Sequence, residues 1–192
     1  MELSYRQTVK ITALLLLLAA IIQPIYTYLY QYAPEANRQI LWSLEGLLFV
    51  LLTAFAGSAL VMAKRYTLGF SAIAFSAVLN VLQVGVGLTQ FGPFRAAAKV
   101  NAELGEVAFS VVAFSFFGYN AAKILLGLAA IVFGMAKMGG GSKALGGAAV
   151  LVGAVAFVTN TLVMIRHTGL YAPAHRRRLW RFGDFTLGLM PA

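Results

Sequence analysis

ILWSLEGLLFVLLTAFAGSALVMA, residues Ile40–Ala63, carries a single charged side chain, Glu45. As a helix rising 1.5 Å per residue, it is long enough to cross a hydrocarbon layer about 30 Å thick. Four further stretches share its length and character: Val9–Tyr30, Thr67–Gln90, Val107–Met135 and Ala144–Ile165. The expected fold is an all-α integral membrane protein, a single transmembrane bundle over residues 1–192. Five transmembrane helices would form one N-terminal span plus two helical hairpins, with a basic C-terminal tail over 166–192. Four spans are the alternative, because an odd number sends that tail to the face opposite the tight basic turns.

Composition agrees with this class. The chain has 192 residues, 60% hydrophobic and 11% charged, and a soluble domain of this size needs far more polar surface. Fifteen Lys and Arg against six acids give a net charge of +9. The basic residues fall in turns and in the tail, so anionic lipid headgroups, not nucleic acid, are the expected partner. Cysteine is absent, which excludes disulfides, thiolate metal sites and a cysteine nucleophile.

Along the chain, Arg6 and Lys10 precede an apolar run with no small-x-small cleavage site. This reads as an uncleaved first span with a tyrosine belt at Tyr26, Tyr28 and Tyr30. Pro24 inside it predicts a kink or an early exit. The segment Phe91–Glu106 mixes helix formers, apolar and charged residues; it predicts a short interfacial helix, with an ordinary loop as the alternative. The fourth stretch is longer than a span requires, so its early part stands outside the core or breaks at Gly118. A faint repeat links Ala59–Lys64 before Leu68-Gly69 with Ala130–Lys137 before Leu145-Gly146. Both units read as helix, basic turn, helix, although alanine-rich sequence resembles itself by coincidence.

Orientation signals conflict. Arg6, Lys10, Lys64, Arg65, Lys137 and Lys143 gather on the N-terminal face. Arg38, Arg95, Lys99, Arg166, Arg176, Arg177, Arg178 and Arg181 gather on the other. Short loops and the first span weigh most, which favours a cytoplasmic N-terminus.

Lipid tails are as apolar as leucine, so small residues and polar contacts decide which helices pair. In the fourth span Asn120, Lys123, Gly127, Ala130 and Gly134 recur at steps of three and four. In the fifth, Gly146, Ala149, Gly153, Ala156 and Asn160 do the same. Folding the two as a hairpin about Gly139–Gly141 sets Gly134 against Gly146, Gly127 against Gly153 and Asn120 against Asn160. The two amides would then hydrogen-bond. The third span has its own stripe, Gly69, Ala72, Ser76, Asn80, Gln83, Gly87 and Gln90. Glu45, Asn80, Gln83, Asn120, Lys123 and Asn160 are thus the candidate polar intramembrane cluster. Glu45 is expected near Gln83 and Gln90, with Lys123 as its counter-charge. Glu45 near a helix start, or Lys123 reaching toward headgroups, would equally be tolerated alone.

Catalytic chemistry has no recognisable set. His167 and His175 are the only histidines and lie outside the spans' interior, and there is no phosphate loop, dinucleotide fingerprint or nucleophile elbow. No enzyme activity, cofactor or metal is expected. Three functions remain: a non-catalytic accessory or assembly subunit of a larger membrane protein complex, a small transporter or channel using the polar residues, and a lipid or quinone binding protein suggested by Phe114, Phe116 and Phe117. In the first, small-residue seams pack the helices and the tail residues Arg176, Arg177, Arg178, Trp180 and Arg181 dock to a partner subunit or to lipid headgroups.

Overall fold

In the computed structural model, which describes residues 3–33 and 36–167, five long α-helices follow one another. They are α1 (Tyr5–Tyr32), α2 (Gln39–Met62), α3 (Thr67–Val100), α4 (Gly105–Gly139) and α5 (Lys143–His167). A short 3-10 turn, Ala102–Leu104, links α3 to α4. There is no strand among the described residues. All five helices are long and apolar enough to cross a membrane, so the protein is a multi-pass helical membrane protein. The basic tail residues Arg176, Arg177, Arg178, Trp180 and Arg181, with His175, lie outside the described residues.

One segment differs from the sequence expectation, and at two others the structure decides between the alternatives. The first helix does not stop at Pro24 but continues to Tyr32. Proline costs a helix one backbone bond, and the long apolar segments on either side keep their own ladders. The third helix runs through Pro93 to Val100, so Phe91–Glu106 is neither a separate interfacial helix nor a loop. The run Arg95-Ala-Ala-Ala-Lys99 has high helix propensity and carries the helix on past the proline. The fourth helix is unbroken at Gly118. With 34 and 35 residues, α3 and α4 measure about 51 Å and 53 Å. Both exceed a core of about 30 Å, and α3 continues to Val100, past the level at which Gly87 and Phe91 meet Trp42 near the start of α2.

Local chemistry sets the helix ends. At α1, Ser4 and Gln7 form a reciprocal capping box, with the Ser4 amide donating to Gln7 Oε1 at 2.9 Å. Between α2 and α3, Tyr66 adopts the left-handed conformation (φ 59°) that turns the chain within four residues. For a tyrosine this costs about 1–2 kcal/mol. Its ring lies 6.3 Å from that of Phe133 on α4. Between α4 and α5, Gly141 takes φ 93°, a conformation open to glycine at no steric cost.

Each helix packs chiefly on its sequence neighbours. The α3 helix is the most buried and α5 the least. The core joins Leu15 and Ala19 of α1, Phe49, Leu52 and Ala56 of α2, Ala72, Ile73, Ala77 and Val84 of α3, and Ala129 of α4. The α4–α5 contact is close to backbone on backbone. A Cβ added at Gly127 would lie 2.7 Å from the Gly153 carbonyl oxygen, and one at Gly134 2.8 Å from that of Gly146. In reverse, a Cβ at Gly153 would meet the Gly127 oxygen at 2.6 Å and Ala130 Cβ at 3.0 Å. Ala149, half-buried, falls on the same side of α5 between Gly146 and Gly153.

The nearest obstructing atom at Gly127 and at Gly153 is a main-chain carbonyl oxygen, which cannot swing aside. Gly127→Ala and Gly153→Ala should each destabilise the fold by about 1–3 kcal/mol. Gly139→Ala, where an added Cβ meets nothing within 4 Å, should leave stability within about 0.5 kcal/mol. Unfolding in mixed detergent micelles measures all three.

Candidate functional site

The polar residues of the spans form two groups. The first lies between α3 and α4. Ser76 Oγ donates to the carbonyl oxygen of Ala122 across the helix interface at 2.9 Å. Asn80, one turn on, donates its Nδ2 to the Ser76 carbonyl at 3.0 Å. Both side chains are almost wholly buried, as is the facing Ala122. One turn further, Ser115 Oγ of α4 donates to the Gln83 carbonyl at 3.5 Å. What Gln83 contributes to this contact is its backbone, and its side chain is half-buried.

The second group joins three helices. Glu45 on α2 is only 3% exposed despite lying inside a span. Gln23 of α1 donates its Nε2 to Glu45 Oε1. A carboxylate only accepts, so the amide nitrogen must face it and the amide oxygen is left for a second partner. That partner is the Tyr119 hydroxyl of α4, which donates to Gln23 Oε1 at 3.4 Å. Lys123 of α4 holds its Nζ 4.9 Å from the centroid of the Tyr119 ring, within range of a cation–π attraction. Lys123 and Glu45 attract each other electrostatically across this group and make no direct ion pair. Gln23 thus bonds to both Glu45 and Tyr119 and links α2 to α4 through α1.

This corrects the expected arrangement of the cluster. Glu45 is partnered by Gln23, not by Gln83 or Gln90; Gln90 is exposed and donates to Thr89 Oγ1 at 3.4 Å. The reason is register. The α1–α2 pair brings Gln23 to Glu45 and Tyr26 to Trp42, whereas α3 meets α2 at this level with Val84 beside Gly46 and with Gly87 under Trp42. The expected Asn120–Asn160 bond is also replaced. Asn120 donates to the Phe116 carbonyl and Asn160 to the Ala156 carbonyl, each at 2.7 Å and each within its own helix. A helix offers an amide a carbonyl four residues back at fixed geometry, and that local bond satisfies the donor before any interhelical one is needed.

Next to the Glu45 group is an aromatic stack. Trp42 lies parallel to Tyr26 (centroids 5.7 Å apart, planes at 10°) and edge-on to Phe91 at 6.0 Å. The Arg38 guanidinium carbon lies 5.9 Å from the Tyr26 centroid. The helix passes close beneath the indole at Gly87, where an added Cβ would lie 3.0 Å from the ring. Gln23 and Tyr119, the partners of Glu45 and Lys123, were not among the residues the sequence pointed to. The available signal was that Gln23 is a polar side chain in an otherwise apolar span, and such residues face protein rather than lipid.

No cluster of three metal-binding side chains occurs among the described residues. No protein-family model, curated protein or solved structure matches the chain.

The Gln23–Glu45 bond predicts a specific pattern of stabilities. Gln23→Leu, which leaves a buried carboxylate without its donor, should cost about 1–3 kcal/mol. Tyr119→Phe removes the longer bond and should cost no more than about 0.6 kcal/mol. The double variant Gln23→Leu/Glu45→Leu should be more stable than Gln23→Leu alone, because no orphaned charge remains. Equilibrium unfolding of the four proteins in micelles tests the ranking.

Proposed function

We propose that this protein is a non-catalytic accessory or assembly subunit of a larger membrane protein complex, with its N-terminus on the cytoplasmic side. The observation that carries this reading is the use made of its intramembrane polar groups. Glu45, Gln23, Tyr119, Ser76, Asn80, Ser115, Asn120 and Asn160 all spend hydrogen bonds on tying helices together or on their own backbone. Such groups hold a scaffold in register. A second support is α5, which packs its glycine side on α4 and leaves Leu151, Val152, Val155, Val158 and Leu162 exposed. Other membrane-protein subunits and lipid are the partners such a surface meets. The orientation rests on the basic turns at Lys64-Arg65 and Lys137–Lys143, on the same face as Arg6 and Lys10.

Mild extraction from the native membrane should yield a stoichiometric complex well above the 20.6 kDa of the chain. Leu151→Trp/Val155→Trp, which keeps α5 apolar but reshapes its outer face, should dissociate that complex without lowering the unfolding midpoint. A lone, monodisperse monomer in the extract would refute the reading.

A small transporter or channel is the second reading, favoured by the opposite charges Glu45 and Lys123 within the spans, since intramembrane ionisable residues commonly mark pathways. Solute flux into proteoliposomes that is lost in both Glu45→Gln and Lys123→Met would put it first.

A further inference from the structure

The two tight basic turns meet in space. A groove of about 720 Å³ opens between them, lined by Arg65 and Tyr66 from the α2–α3 turn and by Val132, Met135, Ala136, Gly139 and Gly140 from the end of α4. Its polarity is graded along the axis of α4. Arg65 and the glycine turn form its mouth, level with the helix ends. Val132 lies seven residues before Gly139, about 10 Å further toward the bilayer interior, so the wall becomes apolar with depth.

Charge at the mouth has one sign. Lys64 is next to Arg65, Lys137 lies in the last turn of α4 and Lys143 opens α5. The acids among the described residues, Glu45, Glu103 and Glu106, all lie toward the other end of the helices. The helix dipoles do not change this balance: α3 presents its positive end here and α4 its negative end, so the two largely offset. A basic mouth over an apolar wall, open on its outer side at the level of headgroups, has the polarity of a phospholipid.

We propose that this groove is a binding site for one anionic phospholipid, its phosphate held by Arg65 with Lys64 next to it in the same turn and its acyl chain laid along Val132 and Met135. The site is independent of the complex-subunit reading and of the Glu45 group. Tyr66, with its left-handed backbone and its ring near Phe133, forms part of the same wall. Glycines at 139 and 140 keep the opposite rim low.

The test is native mass spectrometry of the full chain in micelles supplied with equal amounts of phosphatidylglycerol and phosphatidylcholine. One phosphatidylglycerol should be retained in preference by about tenfold, and Arg65→Gln should reduce that preference by about fivefold. Gly139→Trp, built where the backbone faces open space, should abolish retention of either lipid while leaving the unfolding midpoint unchanged. Lys99→Gln, a basic residue toward the other end, should change nothing. Equal retention of the two lipids by the wild type would overturn the proposal, as would an Arg65→Gln variant that keeps the full preference. Displacement of phosphatidylglycerol by millimolar soluble glycerol phosphate would also overturn it, in favour of a soluble anion. Arg65→Gln lies in an exposed turn, so its result stands even if Gly139→Trp fails to fold.

Discussion

Hydrocarbon offers a polar group no hydrogen-bond partner, and this constraint shapes the bundle more than any apolar contact does. Leucine gains little by leaving lipid for protein, whereas a buried carboxylate without a donor is costly. Glu45 therefore fixes what lies around it. Its need for a donor draws in Gln23, the oxygen that Gln23 has left accepts from Tyr119, and the ring of Tyr119 supports the Lys123 ammonium. Three helices are placed by one chain of complementary groups. Such bonds contribute only about 0.6 kcal/mol each on average in membrane proteins. Their effect is on specificity: another rotation of α1 about its axis would strand both Gln23 and Glu45.

Close backbone approach serves the same end where polar groups are few. Between α4 and α5 the glycine pairs let main chains touch, and dispersion rather than hydrogen bonding holds the hairpin. This seam was readable in the sequence. Steps of three and four mark one face of a helix, and a tight glycine turn fixes antiparallel register, so Gly127 must meet Gly153 once Gly134 meets Gly146. The number of spans was readable for the simpler reason that length and hydropathy set it. The partner of Glu45 was not, because no pattern in the sequence between the first two spans sets their register, and a shift of a few residues would have offered Glu45 a different neighbour. The extension of α3 was hidden by Pro93, which in a soluble chain would normally mark an end. Asn120 and Asn160 were misleading in another way: spacing places an amide on a face but does not say whether its hydrogen goes across the interface or back along its own helix.

The first helix shows how the two kinds of contact combine. By sequence it pairs with α2, and its middle adds only Leu15 and Ala19 to the core. Both of its ends reach further. Near the N-terminus Tyr5 packs edge-on to Phe70 of α3 (6.2 Å, 74°), and Phe70 in turn meets Phe133 of α4 (5.1 Å, 70°). Toward the other end Gln23 and Tyr26 join Glu45, Trp42 and Tyr119. A helix fastened at both ends to helices beyond its neighbour cannot swing out as a rigid rod. By contrast α5 is joined to α4 along one face and carries its bare apolar side outward. The bundle is thus asymmetric: α1 is clasped to several helices, while α5 depends on a single seam. The α4–α5 seam is nonetheless close, since at Gly127, Gly134, Gly146 and Gly153 the two main chains touch.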